Sequence, residues 1–253
     1  MKPDKVIYFP AISCATASFM NADDEKIHKS VNITKSVKFF NKTNSLGMEN
    51  YLYHPYLLLS AGFYYKVDDV RKEYNIDKDC LIFLDSGGFQ LKFGKVNKNT
   101  FTRQMVLDWC EKNGDIFPIL DHPSPSNNPS KQEYDKALNY TIESAKYYHE
   151  NRSVAGKKIL SVISACSDKQ IEQYYNKVSP YKLDGWAHGS SNNSLSSILK
   201  LIFFLINKGE FNSDVPINHH IFGISTVKFS YYFELIQREI NKIDGVNVQI
   251  TND

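Results

Sequence analysis

Short apolar runs recur along the chain at 6–9, 56–60, 80–84, 116–120, 158–163, 185–187, 221–224 and 246–251. Continuous runs of this length read as strands buried on both faces. Most are separated by segments of helical period, at 67–74, 101–112, 132–150, 168–178, 195–207 and 228–243. Met105, Trp109 and Cys110 share one helical face, as do Phe229, Phe233, Ile236 and Ile240. Regular strand–helix alternation predicts a parallel sheet, and eight repeats predict an α/β fold of the (β/α)8 TIM-barrel type, with an open doubly wound sheet as the alternative. The polar, irregular stretch 22–50 is expected to form an insertion or lid near the barrel mouth, so 1–253 reads as one barrel domain. The eighth run leads into Asp253 with no closing helix after it. A barrel of that form is expected to leave an apolar groove at its open edge, to be covered by a second subunit, a homodimer partner or a further segment.

Composition narrows the picture without deciding it. A chain of 253 residues that is 42% hydrophobic builds a sizeable core. Thirty Lys and Arg against 28 Asp and Glu leave a formal charge of +2, so a nucleic-acid surface has to be a local patch. Cys14, Cys80, Cys110 and Cys166 are widely spaced and form no Cys-x-x-Cys pair, which reads as free thiols in a reducing compartment. No signal-peptide pattern and no apolar run long enough to span a bilayer are present, so the expected setting is soluble and cytoplasmic, without a membrane partner.

Candidate chemistry concentrates where the third run ends, in Leu84-Asp85-Ser86-Gly87-Gly88-Phe89-Gln90. A carboxylate leaving a buried strand has a rigid base and partial desolvation, and two glycines let backbone and ligand approach. Phe89 can cover a flat ligand and Gln90 can hydrogen-bond its edge. The active site of a barrel lies at the C-terminal ends of its strands, so Asp121 after the fourth run, Gly189 after the sixth, Phe222 and Gly223 on the seventh and Asp253 after the eighth join Asp85 at one mouth. The plain alternatives are turn chemistry at Asp85 and Asp121, core packing at Phe222 and a frayed end at Asp253. His219 and His220 look like a metal pair, but they precede the seventh run, which assigns them to the stability face, and His188 reads as a satisfied polar group. Lys35, Lys38, Lys42, Lys92, Lys95 and Lys98 fall near the mouth and suit either a phosphate backbone or a solvated surface.

The hexapeptide Asp85-Ser86-Gly87-Gly88-Phe89-Gln90 is similar to the signature of the tRNA-guanine transglycosylase superfamily, whose members exchange guanine in nucleic acid for a 7-deazaguanine. The other strand ends follow the family order over nearly the whole chain. The resemblance implies Asp85 as general acid/base, Asp253 as nucleophile, Phe89 as the stacking aromatic and Asp121 as the reader of the base edge. Ser86, Gly87, Gln90, Gly189, Phe222 and Gly223 complete the implied substrate-binding set, with Phe89 and Phe222 sandwiching the base. It further implies a covalent aspartyl-glycosyl intermediate, retention at C1′, no cofactor and no metal at the reacting centre. The implied partners are DNA or tRNA and a free 7-deazaguanine base.

Departures from the family pattern also carry information. His122-Pro123-Ser124-Pro125 follows Asp121 in place of acidic and cysteine residues. Ser164-Ala165-Cys166 replaces a Gln-Gly step after the fifth run, and Ser190-Ser191-Asn192 replaces a second glycine and a glutamate. The family's zinc-binding subdomain, which helps hold tRNA, has no counterpart. These features lean toward the branch that modifies DNA. Two other readings stay open: a catalytically silent barrel that binds nucleic acid or a partner and is completed in trans, and a base-removing N-glycosidase.

Overall fold

A computed structural model describes residues 2–11, 40–43, 49–51, 53–123, 129–165, 167–189 and 194–253. Eight parallel strands form one sheet: β1 (Ile7–Tyr8), β2 (Tyr56–Ser60), β3 (Leu81–Asp85), β4 (Ile116–Pro118), β5 (Lys158–Ile163), β6 (Gly185–His188), β7 (Ile217–Ile221) and β8 (Val248–Asn252). Their order is β1-β8-β7-β6-β5-β4-β3-β2, so neighbours in sequence are neighbours in space except where the sheet turns back on itself. The ring closes at Pro10. Phe9 N–H donates to Asn252 O of β8 (2.8 Å), Leu58 N–H of β2 donates to Pro10 O (3.1 Å), and Ala11 bridges Leu58. Proline has no N–H to offer β8, which suits the point where the chain changes partners. This is a nearly closed (β/α)8 barrel.

Helices fill the strand-to-strand connections: α1 (Ala61–Tyr64), α2 (Val70–Glu73), α3 (Gly88–Lys92), α4 (Arg103–Asn113), α5 (Lys131–Asn151), α6 (Asp168–Val178), α7 (Leu195–Asn207) and α8 (Val227–Ile240). From α4 onward each begins on a hydroxyl cap: Thr102, Ser130, Ser167, Ser194 and Thr226 accept from the third residue beyond. Ser130 adds a full capping box with Glu133. Each cap is worth about 1 kcal/mol and fixes where a strand-to-helix connection ends.

The strand that departs most from expectation is β7. It runs from Ile217 to Ile221 rather than over 221–224, so His219 and His220 lie inside the strand and Phe222 and Gly223 lie just beyond it. The polar Asn218, His219 and His220 hide the strand from a reading based on apolar runs. His220 is therefore not on the stability face.

The expected groove beside β8 is also largely filled. Val248 and Ile250 are fully buried. Gln237 of α8 donates to Val248 O (2.9 Å) and accepts from Ile250 N (2.8 Å), satisfying β8 below the point where β1 joins it. Residues 2–6 lie against the end of α8, with Lys2 Nζ donating to Asn241 O and Ile243 O and Val6 N donating to Glu234. Cys80 and Cys110 are free and buried, and burial pushes the Cys80 thiol up to about 12. Cys14, Cys166, most of 22–50, Lys35 and Lys38 fall outside the described residues. Among the described residues, no helix is long and apolar enough to cross a membrane.

Candidate active site at the barrel mouth

Parallel register sets the first pair of side chains. Ser60 and Asp85 are partners at the ends of β2 and β3, and Ser60 Oγ donates to Asp85 Oδ2 (2.6 Å). The backbone of Gly87 also stabilises the carboxylate, yet burial outweighs both, and the Asp253 charge adds to it, so Asp85 is held above the ordinary carboxylate range. Gly87 turns the chain with a left-handed φ of 79°. A Cβ there would come within 2.6 Å of Gly62 N and 2.7 Å of the Phe101 ring, so both conformation and space require glycine.

The second glycine serves the neighbouring strand. A Cβ on Gly88 would stand 2.4 Å from Asp121 O and 2.6 Å from Asp121 Oδ1, so the first turn of α3 rests directly on Asp121. Ser164, beyond β5, donates to Asp121 Oδ2 (3.4 Å). Burial raises Asp121 to about 7, the Asp85 charge adds to the rise, and Lys92 partly offsets it. On the far side Gly189 leaves room: a Cβ there would meet Ser164 Oγ and Val162 Cγ1 at 2.8 Å and Asp121 Oδ2 at 3.5 Å.

Asp253 completes the ring from β8. Its Oδ1 accepts from Gly223 N–H (2.8 Å) and lies 3.3 Å from His220 Nε2, an electrostatic contact off the hydrogen-bond line. His220 is fully buried, with Nδ1 2.8 Å from Thr251 Oγ1 and its ring stacked on Phe83 at 4.0 Å and 24°. Phe222 meets His220 edge-on at 4.4 Å and Phe83 at 5.9 Å. His220 is the residue at this site that strand-end reasoning missed. The available signal was its position two residues before Phe222, since alternate residues of a strand share a face.

Asp85, Asp121, Asp253, Gly189, Phe222 and Gly223 thus surround one mouth. Three other expected residues sit differently. Phe89 is 53% exposed on the rim and packs on Phe93, with ring centroids 4.4 Å apart. Ser86 and Gln90 are buried behind the motif, where the Gln90 stem occupies the space a Cβ on Gly62 would need. No family model and no curated protein matches the chain.

The other concave features lie away from the mouth. A surface groove of about 720 Å³ between α6 and α7, lined by Ile171, Leu195, Leu199 and Phe203, is spanned by the Lys200–Asp168 ion pair (3.0 Å). It marks a seam between outer helices. Among the described residues, no three His, Cys, Asp or Glu side chains gather as a metal site. Chemically, the mouth offers two buried carboxyl groups held above the ordinary carboxylate range, Asp121 at about 7, and a third carboxyl fixed through one oxygen.

Proposed function

We propose that the chain exchanges guanine for a 7-deazaguanine base in nucleic acid through a covalent aspartyl-glycosyl intermediate. The observation that carries this reading is the convergence of Asp85, Asp121 and Asp253 at one mouth in three unlike environments, the pattern from which separate acid, reader and nucleophile roles arise. Asp253, anchored through Oδ1, attacks C1′ with its other oxygen; the C1′–N9 bond breaks and its electron pair leaves with guanine. Asp85, which burial holds above the ordinary carboxylate range, supplies the proton that the departing base takes up. The incoming base then attacks C1′, returns its N9 proton to Asp85 and releases Asp253. Asp121 as a carboxylate accepts from the guanine N1–H and exocyclic amine, and Phe222 covers one face of the ring. The resemblance of the Asp85–Gln90 motif supports the same roles, and the His122-Pro123 departure leaves DNA ahead of tRNA as the polymer.

The test is incorporation of labelled guanine into DNA and, in parallel, into unmodified tRNA, with Asp85→Ala as control. Label entering one polymer identifies the substrate. Label entering neither, or free sugar forming without exchange, overturns the reading.

A further inference from the structure

Phe89 and Phe93 stand one helical turn apart on the solvent side of α3, with centroids 4.4 Å apart and exposures of 53% and 54%. Two adjoining phenylalanines left in water are an unusual use of large apolar side chains. Phe63 on the neighbouring α1 is 49% exposed as well. Cations border the rings: Lys92 Nζ lies 5.3 Å from the centroid of Phe93, and Lys95 Nζ lies 5.6 Å from that of Phe89. Lys98, three residues beyond Lys95, and Lys66, three residues beyond Phe63, are exposed.

This patch is fixed to the mouth. Gly88, directly before Phe89, rests on Asp121, and Lys92 Nζ donates to Pro123 O (2.6 Å), two residues beyond Asp121. A polymer whose reacting nucleotide enters the mouth beside Asp121 has α3 on its path for the flanking nucleotides. Exposed rings flanked by amines match what those neighbours offer, flat bases and phosphates, and call for no particular base sequence.

We propose that Phe89 and Phe93 form a stacking platform for unpaired nucleotides flanking the reacting one, with Lys95 and its exposed neighbours facing the phosphates. The identity of the partner rests on the transglycosylase reading, and the surface argument rests on the rings and amines. One consequence is a preference for single-stranded or locally opened substrate over intact duplex, because paired bases cannot reach the rings.

The test is fluorescence anisotropy of the full chain with a short labelled oligonucleotide of mixed sequence, single-stranded and as duplex. Phe93→Ala is expected to weaken single-strand binding about tenfold. Phe93→Tyr should retain binding, and Phe93→Leu should lose it like alanine, which separates stacking from simple apolar contact. Lys95→Ala should reduce the slope of log affinity against log salt by about 0.7. Three results overturn the platform: no single-strand binding by the wild type, wild-type binding by Phe93→Leu, or duplex bound as tightly as single strand. Guanine exchange measured alongside keeps the two ideas apart. Stacking-dependent binding without exchange leaves the platform standing and sinks the transglycosylase reading, whereas exchange with binding indifferent to Phe93 does the reverse.

Discussion

His219 and His220 are adjacent on β7 and occupy two different worlds. His220 faces the barrel interior, where Thr251 Oγ1 and Asp253 Oδ1 lie within 3.3 Å of its two nitrogens. His219 faces the sleeve between sheet and helices, edge-on to Phe211, and neither nitrogen has a hydrogen-bond partner among the described residues. His188 of β6 shares that condition. Burial lowers His219 to about 3 and His188 to about 4, so both are neutral throughout the ordinary pH range. Strand alternation alone produces this split. Polar side chains turned inward meet others turned inward from neighbouring strands and assemble into a layer; those turned outward meet only helix side chains.

The largest test of the interior layer is removal of its proposed nucleophile. Asp253→Asn keeps the shape and the acceptor oxygen for Gly223 but cannot form the ester, so exchange is expected to fall by roughly 10⁴-fold or more. Trapping of a covalent adduct by denaturing electrophoresis should succeed with the wild type and fail with the variant. Normal exchange by Asp253→Asn would remove Asp253 from the reaction.

The second test contrasts the regions through stability. His188 and His219 have folded-state values below 6.5, so their contribution is full above about pH 6.5 and is lost as pH falls toward 4 and 3. For His188 the loss amounts to about 3 kcal/mol. Asp121 works in the opposite sense: raised from 3.8 to about 7, it contributes fully below about pH 3.8 and loses that contribution as pH rises through 7, about 4 kcal/mol in all. Two histidines against one aspartate leave the wild type losing stability between pH 6.5 and 4 in urea denaturation. His219→Leu should bring the profile close to flat, because His188 and Asp121 then offset each other, and Asp121→Asn should steepen the acid loss. Identical pH profiles for the wild type and both variants would show that neither burial sets a titration.

How far this arrangement could be read in advance depends on the same alternation. Strands such as β2 and β5 announce themselves through Leu57, Leu58 and Leu59 or Ile159, Leu160 and Val162, all buried, and their boundaries agree with the apolar runs. Helices α6 and α7 agree with the helical period at both ends. β7 fails because its inward face carries Asn218 and His220 and its outward face carries His219, so hydropathy is low where burial is complete or partial. The carboxylates at the mouth were legible as strand-end residues. Their couplings were not, because Ser60, Ser164, His220 and Gly223 reach them across strands, and only the register reveals that. Phe89 illustrates the reverse limit: its motif suggests a pocket, while the helix that begins at Gly88 carries it to the rim, one turn before Phe93.

His220 gives a smaller and sharper test of the interior layer. His220→Phe retains the stack on Phe83 while deleting both nitrogens, so a purely structural role predicts no change. As a positioning residue for Asp253, its loss should lower kcat by roughly ten- to a hundredfold, the range for an interaction with a charged group, with little change in KM for the free base. Thr251→Val, which removes only the contact at Nδ1, should give a partial version of the same defect. An unchanged kcat in His220→Phe would leave Gly223 N–H as the sole anchor of Oδ1.

The mildest expected effect falls on Asp121, whose proposed role is to select rather than react. Asp121→Asn substitutes a donor for one of two acceptor oxygens, so discrimination between guanine and bases lacking the exocyclic amine should drop about tenfold while turnover with a bound substrate survives. The wild type carries a further signature. With Asp121 near 7, the carboxylate that accepts from guanine becomes more populated as pH rises from 6 to 8, so affinity for the free base should increase across that interval. In Asp121→Asn the side chain no longer titrates and the affinity should be flat. A wild-type affinity that ignores pH would mean that Asp121 does not meet the base edge, even if it remains in the ring.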